Sequence, residues 1–249
     1  ENVLPPPRYV GGVGARRMAG APQTHVVLGF PIPPLQGEYH ASAVAATLFG
    51  EGMSSPLMDQ IRERRGLAYY VACSADVLDS CGQFVIEAST APEHVDEFLV
   101  EVMRLLRAQA NRIDPVDLER ARNQIAVRAV RSQEQPVARL ESAAQDLFAL
   151  GRVRSRAEVM RHFDAVTAEQ VCSEFARLLS VPASLALAVR FTTVPIEAFS
   201  LTEFAVASVS DTAPTLNSST SPMATLVVLA LAIGGTRLPF SASRLGASR

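Results

Sequence analysis

The chain has 249 residues, 48% of them apolar and 19% charged, which is enough for a core that removes roughly 70% of the unfolded surface from water. Its 23 basic and 25 acidic side chains give a net charge of -2, without a basic stripe or a base-stacking aromatic series, so DNA and RNA are set aside as partners. Three cysteines, Cys73, Cys81 and Cys172, form no C-x-x-C pair, which argues against a zinc ribbon or a disulfide framework and leans toward free thiols in a reducing cytosol, with periplasmic or organellar homes open.

The chain opens on Glu1 with no initiator methionine or leader pattern. Pro5 to Pro7 and Gly11, Gly12 and Gly14 follow, so residues 1–20 are expected to be a linker from a missing N-terminal half. Val26 to Phe30 has the make-up of a buried strand, ended by Pro31, Pro33 and Pro34. His40 to Phe49 is alanine-rich with helical spacing. The turn Gly50-Glu51-Gly52 lacks the lysine and the spacing of a phosphate-binding loop, and a tight turn that lets the next helix approach the sheet is the simpler account. Ser54 and Ser55 have no histidine near them in sequence, and capping explains them.

The segment Met58 to Tyr70, M-D-Q-I-R-E-R-R-G-L-A-Y-Y, is the most informative. Ser55 can cap, Pro56 suits a first turn, Leu57 and Ile61 form an i,i+4 apolar pair, and Gly66 supplies a left-handed stop. Arg62 therefore falls at a helix end and Tyr69 at the start of a strand. On spacing alone, Arg62, Arg64 and Arg65 are also accounted for as cations at the negative end of a helix dipole, and Tyr69 as a half-buried sheet residue.

Tyr69 to Val77 and Gln83 to Thr90 alternate like strands around Asp79, Ser80 and Gly82, which is hairpin spelling. Val95, Phe98, Leu99, Val102, Leu105 and Leu106 then recur with a helical period, a stripe expected to lie across the hairpin. Asp114 and Pro115 start a helix carrying Leu118, Ala121 and Ile125. Another amphipathic helix, with Val137, Leu140, Ala144, Leu147 and Phe148, closes at Gly151. Capping boxes are expected at Ser155 with Glu158 and at Thr167 with Gln170, and Leu185 to Val189 is a last strand. The fold class is α+β: one largely antiparallel sheet with helices on one face, over residues 21–191. Residues 192–249 have the composition of a low-complexity linker followed by a short apolar tail. Its charge-free run, Met223 to Ile233, falls well short of the about 20 residues a membrane span needs.

A hydrolytic zinc site needs three nitrogen or carboxylate ligands and an open position. The four histidines, His25, His40, His94 and His162, do not complete the inverted signature H-x-x-E-H. The nearest approach, His94 to Phe98, has Phe98 where the second histidine belongs, so His94 and Glu97 read as the solvated start of a helix. No metal ligand is assigned to this chain.

Y-V-G-G at Tyr9 to Gly12, Q-T-H-V-V-L-G-F at Gln23 to Phe30, G-E-G-M-S-S-P-L at Gly50 to Leu57, R-E-R-R-G-L-A-Y at Arg62 to Tyr69 and D-A-V-T at Asp164 to Thr167 occur in order. Together they resemble the second, non-zinc half of the insulinase/pitrilysin family of zinc metallopeptidases, which includes the mitochondrial processing peptidase and the respiratory-chain core proteins. The resemblance runs from about Tyr9 to about Arg190 and implies the half-domain fold of that family. It implies zinc in a homologous partner half or subunit, and a catalytic role for Arg62 and Tyr69 as donors to the backbone or oxyanion of an extended peptide substrate. This chain alone is then expected to be inactive. The rival expectation is a scaffold subunit that keeps the fold without proteolysis.

Overall fold

The computed structural model describes residues 7–18 and 20–189, and the expected tail lies outside them. Five strands, β1 (Gly12–Arg17), β2 (Thr24–Ile32), β3 (Ala68–Val77), β4 (Gly82–Thr90) and β5 (Ser184–Val189), form one sheet in the order β1-β5-β2-β4-β3. Every neighbouring pair is antiparallel except β1 with β5, so the expected α+β architecture holds with one parallel pair at an edge.

The linker expected over residues 1–20 gives way at 12–17 to a strand, β1. Gly11 and Gly12, at φ 74° and 142°, turn the chain so that Gly12 N–H donates to Ala183 O at 3.0 Å. Tyr9 anchors the approach, its hydroxyl meeting Gly29 O at 3.1 Å and Ser184 Oγ at 2.9 Å. β2 likewise runs past its expected end through Pro31. The Pro31 carbonyl accepts from Arg177 Nη2 at 2.8 Å, on the side where β5 has already stopped at Gly29. The ring nitrogen faces the same way, so no ladder bond is lost.

Among the described residues six α-helices accompany the sheet: α1 (His40–Gly50), α2 (Val95–Asn111), α3 (Pro115–Glu134), α4 (Pro136–Leu150), α5 (Arg156–Asp164) and α6 (Ala168–Ser180). Val26, Leu28 and Phe30 from β2, Phe84 and Ile86 from β4, and Leu185 and Leu187 from β5 face these helices and are all buried. α1 lies over β3, α3 flanks α1, and the apolar stripe of α2 joins the same core with α6 as its neighbour. Phe49, Phe84 and Phe175 meet at ring separations of 5.6 to 6.4 Å where α1, β4 and α6 converge.

Local signals account for most helix ends. Asp114 Oδ1 accepts from Val116 N–H at 2.8 Å, Gly151 closes α4 at φ 69°, and Thr167 and Gln170 complete a reciprocal capping box. The box expected at Ser155 is half made. Ser155 Oγ accepts from Glu158 N–H at 3.2 Å, but the Glu158 carboxylate turns to Arg152, whose guanidinium holds it down to a pKa of about 2. No helix among the described residues is long and apolar enough to cross a membrane.

Candidate functional site

The connection from α1 to β3 carries the predicted residues. Pro56 and Leu57 begin helically, Ser55 Oγ accepts from Met58 N–H at 3.4 Å, and Met58–Arg64 continues as a π-helix, a wider geometry than the spacing suggests. Ile61, fully buried, holds this turn to the core. Gly66 then adopts φ 59°, with its N–H bonded to Arg62 O at 3.2 Å and the Leu67 N–H to Ile61 O at 2.9 Å. That reversal delivers the chain into β3 with Arg62 on its last π-helical turn and Tyr69 seven positions later.

Three arginines crowd this turn, and their partners separate them. Arg64 meets Asp59 at 2.9 Å. Arg65 bridges Glu97 at 2.8 Å and Glu101, a buried carboxylate that Arg104 also grips at 2.6 Å. Those hydrogen bonds, Arg104's foremost, hold the Glu101 pKa below the ordinary range against the opposing effect of burial. Among the described residues Arg62 has only a 3.8 Å approach to its neighbour Glu63, and its side chain is 42% exposed. All three side chains reach solvent, and what distinguishes Arg62 is its looser pairing: Arg64 and Arg65 hold carboxylates at 2.9 Å and 2.8 Å, Arg62 at 3.8 Å.

Tyr69 is placed by an irregularity of the sheet. Ala68 pairs with Thr90 and Tyr70 with Ser89, so Tyr69 is the extra residue of a β-bulge. A bulge bends its strand and re-aims a side chain, and Tyr69 is accordingly 76% exposed while Ala68 stays buried. β3 is an edge strand, with β4 on one side only. Its outer row of N–H and C=O groups is the kind of template to which an extended chain pairs.

The sheet face away from the helices continues this surface. Tyr70, Ser89 and His25 stand in one cross-strand row, with Ser89 Oγ 2.9 Å from His25 Nδ1. Burial and the nearby Glu87 carboxylate raise the Tyr70 pKa, and burial together with Asp76 raises that of Glu87. Cross-strand pairing makes this row, and a linear motif cannot display it.

The Gly50-Glu51-Gly52 turn is clamped. Arg120 donates to Glu51 O at 2.8 Å and to Leu48 O at 3.0 Å, Gln124 donates to Glu51 O at 3.3 Å, and Arg128 pairs with the Glu51 carboxylate at 2.6 Å. Between this turn and α3 lies an open cavity of about 950 Å³. Gly50 packs directly against Cys73 of β3, so the clamp also fixes the edge strand. All three cysteines are free thiols, and burial pushes that of Cys73 up.

Glu97 is paired with Arg65 and Phe98 is fully buried, so the His94-to-Phe98 stretch begins α2. Among the described residues no group of three or more His, Cys, Asp or Glu side chains could hold a metal ion. His40 stacks on Tyr39 with ring centres 4.1 Å apart, and the His162 ring lies tilted 4.9 Å from it. Burial, then the His162 charge, lowers the His40 pKa to about 4, and its Nε2 is buried without a partner.

The family model described as the peptidase M16 inactive domain matches residues 1–125. An uncharacterized zinc protease of Rickettsia bellii is 28% identical over 184 residues, covering 73% of this chain and 44% of the relative. The alpha subunit of the mitochondrial-processing peptidase of Solanum tuberosum is 24% identical over 203 residues, covering 73% of this chain and 39% of that protein. Among solved structures, a peptidase M16 inactive domain from Pseudomonas fluorescens shares the fold at a TM-score of 0.60 and 22% identity, covering 72% of this chain and 43% of that one. The chain spans less than half the length of these relatives.

Proposed function

Because the chain belongs to the peptidase M16 family, as an inactive domain of zinc protease-like proteins, we propose that it is the substrate-binding half of a zinc metalloendopeptidase that cleaves peptides or unfolded segments. Two observations support this reading: a lightly committed guanidinium, Arg62, at the end of the π-helical turn that leads into β3, and a bulge-exposed phenol, Tyr69, on that edge strand. In this reading the zinc is held by a homologous half that bears H-x-x-E-H, which would supply the three ligands and open position that a hydrolytic site needs.

This chain's own residues then bind and orient. An extended substrate lies along the outer edge of β3, its backbone satisfied strand to strand and its side chains directed alternately to the two faces. Tyr69 Oη–H and the Arg62 fork donate to the substrate backbone or to the oxyanion that develops at the scissile carbonyl. Arginine suits that task, being always charged with its donors in one plane. The clamp on Glu51 keeps β3 fixed while the peptide is held. Pre-set donors of this kind need no rearrangement at the moment of reaction.

The test is reconstitution. The chain is mixed with a candidate H-x-x-E-H-bearing half and assayed for cleavage of an unstructured peptide. Cleavage that requires both halves and is lost on chelation supports the reading. A stable mixture without any cleavage favours a scaffold subunit.

A further inference from the structure

The structure assigns a docking face to α4, and we infer that its occupant is the homologous zinc-bearing half. This inference rests on the two-half reading above. Val137, Leu140, Ala144, Leu147 and Phe148 follow one another at helical spacing and form a single stripe. Such a stripe ordinarily faces a core, but here Leu140 is 71% and Phe148 88% exposed, with Val137 and Leu147 also open to solvent. Asp146 is the one buried residue of the helix.

The outward aspect is held in place. On the other side of the helix, Asp146 accepts from Arg154 at 2.8 Å, and Arg154 in turn donates to Tyr39 Oη at 3.0 Å beneath it. The C-terminal end is pinned by Gln36, which donates to Ala149 O at 2.9 Å. Rolling α4 to bury its stripe would break both anchors and leave the Arg154–Asp146 pair uncompensated. The helix is therefore fixed with its apolar side outward, and α3 leaves Val127 and Val130 exposed as well.

What covers this face follows from the length of the relatives. The chain accounts for 44% of the Rickettsia protein and 39% of the Solanum subunit, so each has room for a second unit of at least this size. A permanent partner of that size is met through a surface like a core cut in half: large apolar side chains at the centre and charged ones around it. Around the α4 stripe that rim is supplied by Arg139 and Glu141, both exposed. A solvated partner held only by rim charges would not account for Phe148.

The experiment measures binding alone, so it is independent of catalysis. The full chain is titrated with the purified H-x-x-E-H-bearing half and the affinity read by fluorescence anisotropy, for the parent and for the double variant Leu140→Asp/Phe148→Asp. The expected result is a loss of affinity of about 30-fold or more, because central apolar anchors dominate such interfaces. The double variant's own melting temperature should match the parent's. Leu140→Met/Phe148→Leu, which keeps the stripe apolar, should retain binding. Unchanged affinity in the aspartate variant overturns this assignment and leaves the proposed function standing. So does a fall in its own stability, which would mean that the face is covered from within the chain. Self-association of the parent that the aspartate variant abolishes makes a second copy the occupant and also overturns it. If the parent does not bind the zinc-bearing half at all, the two-half reading falls first.

Discussion

Gly50→Ala is the most sharply posed perturbation of the scaffold. An added Cβ would overlap Cys73 Cβ and N and lie 2.8 Å from its Cα, where ordinary van der Waals separation begins near 3.4 Å. The obstacle is backbone, so no rotamer change relieves it, and β3 must shift by more than half an ångström relative to α1. Overpacking of this kind costs about 3 kcal/mol. For a domain of this size that corresponds to a fall in melting temperature of roughly 6 to 12 °C. Gly66→Ala is the control, because φ is 59° there but nothing stands within 4 Å, so only left-handed strain of about 1 kcal/mol is paid. Cys73→Gly should not rescue Gly50→Ala, since the backbone nitrogen and α-carbon at position 73 would still stand in the way. Differential scanning calorimetry of the four proteins decides the matter. A Gly50→Ala melting temperature within about 2 °C of the parent, or a larger loss in Gly66→Ala, refutes the close-packing argument.

Glu101→Gln removes the charge that gathers Arg65 and Arg104, and urea unfolding should show a loss of about 1 to 2 kcal/mol, since both arginines keep solvent access. Glu101 titrates below its ordinary value in the fold, so the stability it contributes is present at neutral pH and is lost as pH falls through that lowered value. The variant should therefore lose less stability than the parent on strong acidification. His40 acts over a higher window. With a folded pKa of about 4 against an ordinary 6.5, the unfolded chain binds the extra proton first, and stability declines as pH drops from 6.5 toward 4. His40→Phe keeps the ring stack and should flatten that part of the pH profile; an unchanged slope would show that another group causes it.

Local chemistry made much of this fold legible. The β3–β4 hairpin is found within a residue of its expected bounds because alternation and the Asp79–Gly82 turn act over a few neighbours. Thr167 with Gln170 and Asp114 with Pro115 are equally local signals. β1 escapes such reading because Gly12 to Arg17 carries no alternation and owes its strand to a partner, β5, more than 160 residues away. The π-helical geometry before Arg62 and the bulge at Tyr69 depend on how α1, β3 and β4 fit together. The apolar period of α4 is visible in sequence, but a period names a face and leaves open what that face meets. At the candidate site, family resemblance and not spacing singled out Arg62 and Tyr69, whereas the commitment of Arg64 and Arg65 to carboxylates required the fold.

The measurement closest to the central claim is peptide turnover by the reconstituted pair with Arg62→Ala or Tyr69→Phe in this chain. Removing one donor to a developing oxyanion costs about 3 kcal/mol, so kcat/KM should fall roughly 100-fold in each variant, with most of the loss in kcat. Both side chains are exposed and lightly bound, so melting temperature and affinity for the zinc-bearing half should stay as in the parent. Parental turnover in both variants would contradict the assignment.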